Sequence, residues 1–218
     1  MPIQHATDLE LAHVDAHLVV AVKPSGLLSV PGRGEAGRDC LAVRVQAAFA
    51  DALVVHRLDM STSGLMLFAR GAAMQRRLSI AFAERAVGKR YLAIVHGCVA
   101  EAQGTIDLPL AADWPNRPRQ QVDADHGKPS LTRYRVLDVD AGNATTRLEL
   151  EPVTGRAHQL RVHLLAIGHP ILGDALYAPP AVQARADRLL LHAAELQFAH
   201  PAGGAVVRAV RIVSAAPF

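Results

Sequence analysis

The sequence predicts an α+β fold: a mainly antiparallel or mixed sheet with a few helices packed on it. Two observations carry this. Short apolar or alternating runs that read as strands outnumber the stretches with helical spacing, and the two kinds are not interleaved as regular βαβ units would require. The chain has 218 residues, 50% of them hydrophobic, and no linker, repeat or low-complexity tract divides it. One domain over residues 1–218 is therefore expected, with ample core for independent folding.

Residues 18–22 (Leu-Val-Val-Ala-Val) read as a buried strand, ended by the turn Lys23-Pro24-Ser25-Gly26. Pro31 to Gly37 reads as a flexible loop. Asp39 is placed to N-cap a short helix carrying Leu41, Val45 and Phe49 at helical spacing. Leu53-Val54-Val55, a polar segment from His56 to Ser63, and Leu65 to Ala69 follow as strand, loop, strand. Residues 72–85 put Met74, Leu78, Ala81 and Phe82 on one face, the mark of an amphipathic helix.

Residues 89–96 and 104–110 are strand candidates. The tract 113–130 holds Trp114, three prolines and many polar residues, and reads mostly as exposed loop. Arg147 to Glu151 alternates cleanly, as a half-buried strand does. Leu160, Leu164 and Ile167 mark a helix ended at Gly168, with Pro170 beyond it. Residues 189–198 and 206–213 close the chain as strands.

Composition narrows the possible functions. The high hydrophobic fraction excludes disorder as the main state, and no apolar run approaches the roughly 18 residues of a membrane span. Residues 1–5 lack the basic-then-apolar pattern of a secretory signal, so a cytoplasmic protein is expected. Cys40 and Cys98 are isolated and read as unpaired thiols. Of the 23 basic residues, 20 are Arg and three (Lys23, Lys89, Lys128) are Lys, for a formal net charge of +3. Arg pairs with phosphates through two donors and stacks on bases, so nucleic acid enters as a partner class. An Ala- and Arg-rich composition also follows from a GC-rich genome, and composition alone does not separate the two.

Two segments carry chemistry. His56-Arg57-Leu58-Asp59-Met60-Ser61-Thr62-Ser63-Gly64 sets three ionisable groups and three hydroxyls between two apolar strands, the kind of loop on which a rigid sheet presents catalytic groups. Asp59 suits a nucleophile or base with Arg57 beside it. A polar turn capped by its own hydroxyls is the equally available reading. In Gly155 to His163, His158 and His163 are five residues apart and share no helix face, which argues against a zinc pair. Arg161 points off the apolar stripe, into a neighbouring site or into solvent. Gly32-Arg33-Gly34 lacks the spacing of a P-loop or a dinucleotide fingerprint. No motif asks for a metal, nucleotide or redox cofactor, and none is expected.

His56-Arg57-Leu58-Asp59 with Thr62-Ser63-Gly64 resembles the signature of the RluA-type pseudouridine synthases. The resemblance runs over nearly the whole chain and in the family's order. Lys23 to Gly26 is similar to the first motif and Lys89-Arg90-Tyr91-Leu92-Ala93 to the tyrosine motif. Gly155 to His163, with Gly168 to Ile171 and Gly173 to Tyr177, is similar to the arginine motif, and Arg188 to Ala193 to the closing one. The tract Asp113 to Gln120 resembles the branch of the family without an appended S4 RNA-binding domain, for which residues before Lys23 leave no room. Ala157 stands where the family usually has a hydroxyl residue, so a local hydrogen bond is in doubt there.

The resemblance implies an isomerase that converts uridine to pseudouridine in structured RNA, 23S rRNA and tRNA stem-loops in particular, without a cofactor; a monomer is expected because no heptad seam asks for a partner helix. It implies that Asp59 is the catalytic carboxylate, by attack on the ribose or base or by removal of a ribose proton. Arg161 would be its salt-bridge partner, since a close opposite charge favours the ionised carboxylate. Tyr91 would pack on the uracil and take the final C5 proton. Leu191 would line the uracil pocket, and Arg57 would fill the space left by the extruded base. Lys23, Arg76, Arg77, Arg117 and Arg119 are expected phosphate contacts. The rival readings are a non-catalytic RNA-binding module on the same fold and a glycosidase-type hydrolase. The hydrolase needs a second acidic group, which the Asp59 loop does not supply.

Overall fold

The computed structural model describes residues 9–202 and 209–218. In chain order the elements are β1 (Leu11–Val14), β2 (Leu18–Lys23), a 3₁₀ turn (Glu35–Gly37), α1 (Leu41–Ala48), β3 (Ala52–Val54), β4 (Ser63–Arg70), α2 (Ala72–Ala83), β5 (Gly88–His96), β6 (Gln103–Asp107), β7 (Leu110–Ala112) and β8 (Gln120–Val122). There follow β9 (Leu131–Asp140), β10 (Thr145–Pro152), α3 (Gln159–Ala166), α4 (Pro180–Gln183), β11 (Leu191–Ala199) and β12 (Ala209–Val213). The α+β class is as expected, and β1–β2, β2–β4, β3–β4, β5–β10, β9–β10, β6–β9, β7–β8 and β11–β12 all pair antiparallel. Tertiary contacts divide the chain into two compact units, residues 1–89 with 193–217, and residues 90–192 with 218.

In the first unit the strand order is β1-β2-β4-β11, with β3 also on β4 and β12 on β11. Successive side chains of a strand point to opposite faces, and β2 is buried on both. Leu18 and Val20 join Leu65, Leu67 and the α2 residue Leu78, while Val19 and Ala21 join Met66, Phe68 and the α1 residues Leu41 and Val45. A strand covered on both faces reads as a continuous apolar run rather than an alternation, which is why residues 18–22 stand out in the sequence. Met74, Ala81 and Phe82 pack with Leu78, as the helical spacing predicts.

In the second unit the order is β5-β10-β9-β6. One face is apolar: Ala93, Val95, Leu148 and Leu150 pack under Leu160 and Leu164 of α3. Burial of each valine or leucine among them contributes about 1.5–3 kcal/mol. The other face is a ladder of charges in which Glu149 accepts from Arg90 and Arg135 and Glu151 from Arg133. The burial of β10 alternates accordingly. Gly168, at φ +85°, closes α3, and His169 N donates back to Leu164 O.

Three local expectations are corrected, and one strand is added. Asp39 is not the N-cap residue: Cys40 holds that position without a side-chain bond, and Asp39 takes a two-point contact from Arg44. The loop expected over 31–37 contains a 3₁₀ turn closed by Gly32 N on Gly37 O. The tract 113–130 is not loop throughout, because residues 120–122 pair with 110–112 as a hairpin. Residues 131–140, given no element from sequence, form a ten-residue strand. The expectations for residues 1–5 and for 206–208 lie outside the described residues.

Candidate active site

The loop between β3 and β4 is held by its backbone. Four consecutive carbonyls each receive a donor: Leu58 O from Ser29 Oγ (2.7 Å), Asp59 O from Thr62 N (3.1 Å), Met60 O from Gly26 N (2.9 Å) and Ser61 O from Ser25 Oγ (2.7 Å). Lys23 adds a further bond to Met60 O at 2.8 Å, and its Nζ also donates to Pro24 O and Leu27 O at 2.9 and 2.7 Å. The segment 23–29 is thus a clamp on the segment that carries Asp59. Leu58 N completes it by donating to Ser29 Oγ at 3.0 Å.

Lys23 therefore has a different job from the expected phosphate contact. It is 0% exposed, and a buried ammonium persists only where its donors are satisfied; three carbonyls here meet that need. Arg57 is exposed beside the buried Leu58, and Asp59 is half-buried. Gly64, where the loop enters β4, sits at φ +114°, and a Cβ there would lie 2.3 Å from Ala193 O. Only glycine permits so close a passage of two backbones.

His56 anchors the other end. Its Nε2 accepts Leu67 N at 2.9 Å, and its ring stacks on Phe82 with centroids 4.5 Å apart. Burial, together with the nearby Lys89 charge, pushes the imidazole down to about 3, so it is neutral with its proton on Nδ1.

In the second unit, α3 presents Arg161, which is 3% exposed. Its Nε and a terminal nitrogen donate to the two oxygens of Asp174 at 2.8 and 2.6 Å, a two-point pair of the kind Arg alone makes. Asp174 Oδ1 also accepts Leu176 N and Tyr177 N at 3.0 and 3.1 Å, and the Tyr177 ring lies 4.9 Å from the Arg161 guanidinium. Arg161 is thus neither solvated nor free to swing.

The start of α3 is fixed by a buried polar chain. Gln159 Oε1 accepts from Thr154 Oγ1 and Arg156 N, and Gln159 Nε2 donates to Leu131 O and Thr132 Oγ1. Thr132 Oγ1 in turn meets His163 Nδ1 at 2.9 Å, while His163 Nε2 lies 2.9 Å from Leu108 O. A carbonyl only accepts, so His163 is protonated on Nε2, and burial keeps it below its ordinary pKa. These bonds hold the turn that contains Ala157, which is itself exposed.

Tyr91 lies opposite Leu150 and packs, half-buried, on the same apolar cluster that contains Leu191, itself 3% exposed. Arg117 is exposed on the hairpin tip with its guanidinium over the Trp114 ring, and Arg119 is 5.4 Å from the Tyr177 ring. The structure thus groups Lys23, Arg57 and Asp59 in the first unit, and Tyr91, Leu191, Arg161, Arg117 and Arg119 in the second. Among the described residues, Asp123, Asp125 and His126 are close enough to hold a metal ion. Asp123 Oδ1 already accepts the backbone N–H groups of Asp125 and His126 in an exposed turn.

Sequence reasoning missed Ser25 and Ser29 as loop clamps and gave Asp174 and Tyr177 no task, although all lie in or beside motifs it singled out. The available signal was Lys23 itself. A lone Lys directly after an apolar strand and before a Pro-Ser-Gly turn is a charge that must find nearby acceptors.

The family profile described as RNA pseudouridylate synthase matches residues 17–166. The chain is 52% identical over 196 residues to the Escherichia coli protein named dual-specificity RNA pseudouridine synthase RluA, covering 90% of this chain and 89% of that one. It is also 52% identical over 193 residues to the Pasteurella multocida protein of the same name, covering 88% of each. Among solved structures, human RNA pseudouridylate synthase domain containing 1 superposes with a TM-score of 0.82 at 29% identity, covering 100% of this chain and 87% of that one. Its human counterpart, domain containing 4, gives 0.75 at 27% identity, covering 95% and 88%. The chain belongs to the RluA-type RNA pseudouridine synthases, a family of isomerases.

Proposed function

We propose that this enzyme isomerises uridine to pseudouridine in stem-loops of both 23S rRNA and tRNA, acting in the cytoplasm as a monomer with residues 1–218 as one catalytic domain. The observation that carries the proposal is the clamped Asp59 loop. A carboxylate that must meet one carbon of a flipped nucleotide gains from having its backbone held before substrate arrives, and four tied carbonyls supply that. The dual RNA range rests on the names of the relatives at 52% identity.

In this reading the N1–C1′ bond breaks, the uracil turns within the site, and a C5–C1′ bond forms. The C5 hydrogen leaves as a proton and N1 gains one, so no electrons enter or leave and no cofactor is called for. Asp59 is the carboxylate that opens the sequence. Arg161, its plane set by Asp174, keeps Asp59 ionised and oriented. Tyr91 packs on the uracil and accepts the C5 proton, and Leu191 supplies apolar wall. Extruding the base costs about a few kcal/mol, which Arg57 offsets by filling the vacancy. Arg117 and Arg119 meet phosphates.

The test is tritium release from 5-tritiated uridine in stem-loop RNA, with no cofactor added. The wild-type protein should release tritium and form pseudouridine, and Asp59→Asn should abolish both while leaving RNA binding and thermal stability near wild type. Binding without release by the wild-type protein would favour a non-catalytic RNA-binding module, and undiminished release by Asp59→Asn would remove Asp59 from the chemistry.

A further inference from the structure

Trp114 is the chain's single tryptophan, and it is 67% exposed at the tip of the β7–β8 hairpin. The tip that carries it is built rather than loose. Asp113 N donates to Arg119 O at 3.0 Å, Asn116 N to Asp113 O at 3.1 Å and Arg119 N to Asn116 O at 3.0 Å. Asn116 Nδ2 reaches both Asp113 carboxylate oxygens, at 3.0 and 2.9 Å. At the hairpin's base, Gln120 N donates to Tyr177 Oη at 2.8 Å, the same tyrosine whose ring lies against Arg161.

The Arg117 guanidinium carbon stands 3.5 Å from the centroid of the Trp114 ring, so a cation covers one face of the indole. The ring's large exposure then belongs to its opposite face and edges. A rigid loop that holds an indole out in water, backed by a guanidinium, has already met the ordering cost of a stacking contact. The residues beside Trp114 in the tip are Asp113, Pro115, Asn116 and Arg117, and the guanidinium against the ring suits a polyanion such as RNA.

We propose that Trp114, backed by Arg117, is a stacking platform for one unpaired nucleobase of the substrate RNA. The inference rests on the stem-loop substrate proposed above and adds a specificity element to it. Every nucleobase has a π-face, so the contact tolerates sequence, but a base within a duplex has both faces covered. The platform therefore selects for a splayed loop. It also gives Arg117 a second role besides phosphate attraction, since the same guanidinium pins the indole.

The single tryptophan makes the test direct. Stem-loop RNA is titrated into the Asp59→Asn protein while indole emission and the anisotropy of end-labelled RNA are followed together. Emission should be quenched in step with the rise in anisotropy, and a fully paired duplex of matched composition should not quench it. Trp114→Ala should weaken stem-loop binding roughly 5- to 150-fold without altering the salt dependence, and Trp114→Phe should retain most of the affinity. Binding seen by anisotropy with unmoved emission, or wild-type affinity in Trp114→Ala, would overturn the proposal and leave the ring to a protein surface. Failure of the wild-type protein to bind stem-loop RNA would instead overturn the substrate reading, and this inference with it.

Discussion

Acidification below pH 6.5 will cost this fold stability through His56. The folded protein holds that imidazole neutral down to about 3, against an ordinary 6.5 for histidine, because burial and the nearby Lys89 charge disfavour the imidazolium, while Nε2 is occupied by Leu67 N and the ring is packed on Phe82. The unfolded chain takes up a proton there below pH 6.5, and the folded chain does so only near pH 3. The stability is thus complete above pH 6.5 and falls as pH drops through the interval between the two. Each pH unit in that interval costs about 1.4 kcal/mol, or about 2 kcal/mol by pH 5. His163, also depressed by burial, adds loss of the same sign, so a variant is needed to isolate His56. In His56→Gln the side-chain carbonyl accepts Leu67 N and nothing titrates. Urea denaturation at pH 7.5 and pH 5 should show the wild type losing about 2 kcal/mol more than His56→Gln. Equal losses would refute the reasoning, as would an NMR tautomer assignment at pH 5 with the proton on Nε2.

Other substitutions test the site. Lys23→Met withdraws the ammonium from Pro24 O and Leu27 O, while Met60 O keeps Gly26 N, and should cost about 2–5 kcal/mol; turnover should fall while the salt dependence of RNA binding stays unchanged, whereas a phosphate contact would lower that slope. Gly64→Ala forces a Cβ to 2.3 Å from Ala193 O at φ +114°, so a loss of at least ~3 kcal/mol is expected in thermal unfolding, and a change within about 0.5 kcal/mol would contradict the close passage. Asp174→Asn removes the carboxylate from the two-point pair with the buried Arg161 and should cost about 3–5 kcal/mol. In a double-mutant cycle with Arg161→Met the two losses should be far from additive, and additivity would separate the pair.

The reach of the sequence is clearest where periodicity was strong. The β2 run, the stripe of α2 and the Gly168 stop were all legible because burial on both faces, a 3.6-residue period and a left-handed C-terminal glycine each leave a local mark. Residues 131–140 left a weaker one. Arg133 and Arg135 sit on a solvent face against Glu149 and Glu151, so the strand is defined by partners in β10 and β6 and not by its own hydrophobicity. Asp174 illustrates the same limit at the site. Its pairing with Arg161 joins positions thirteen apart through a turn, and no spacing rule announces it. Lys23 was read as a phosphate contact and is fully buried instead, because a charge in a sequence shows its sign and not its burial.

The clamp on residues 58–61 grips main-chain oxygens, which every amino acid carries. Mutational tolerance should therefore be lopsided across the two segments. The loop can exchange Met60, which is 54% exposed, for other side chains without moving the carbonyl that Lys23 and Gly26 hold. The residues doing the holding have no such latitude: Lys23, Ser25 and Ser29 act through side-chain donors, and Gly26 sits at φ +86°. An engineer wishing to reshape what the loop presents to RNA would accordingly vary the loop's own side chains and leave untouched a segment 29 or more residues upstream.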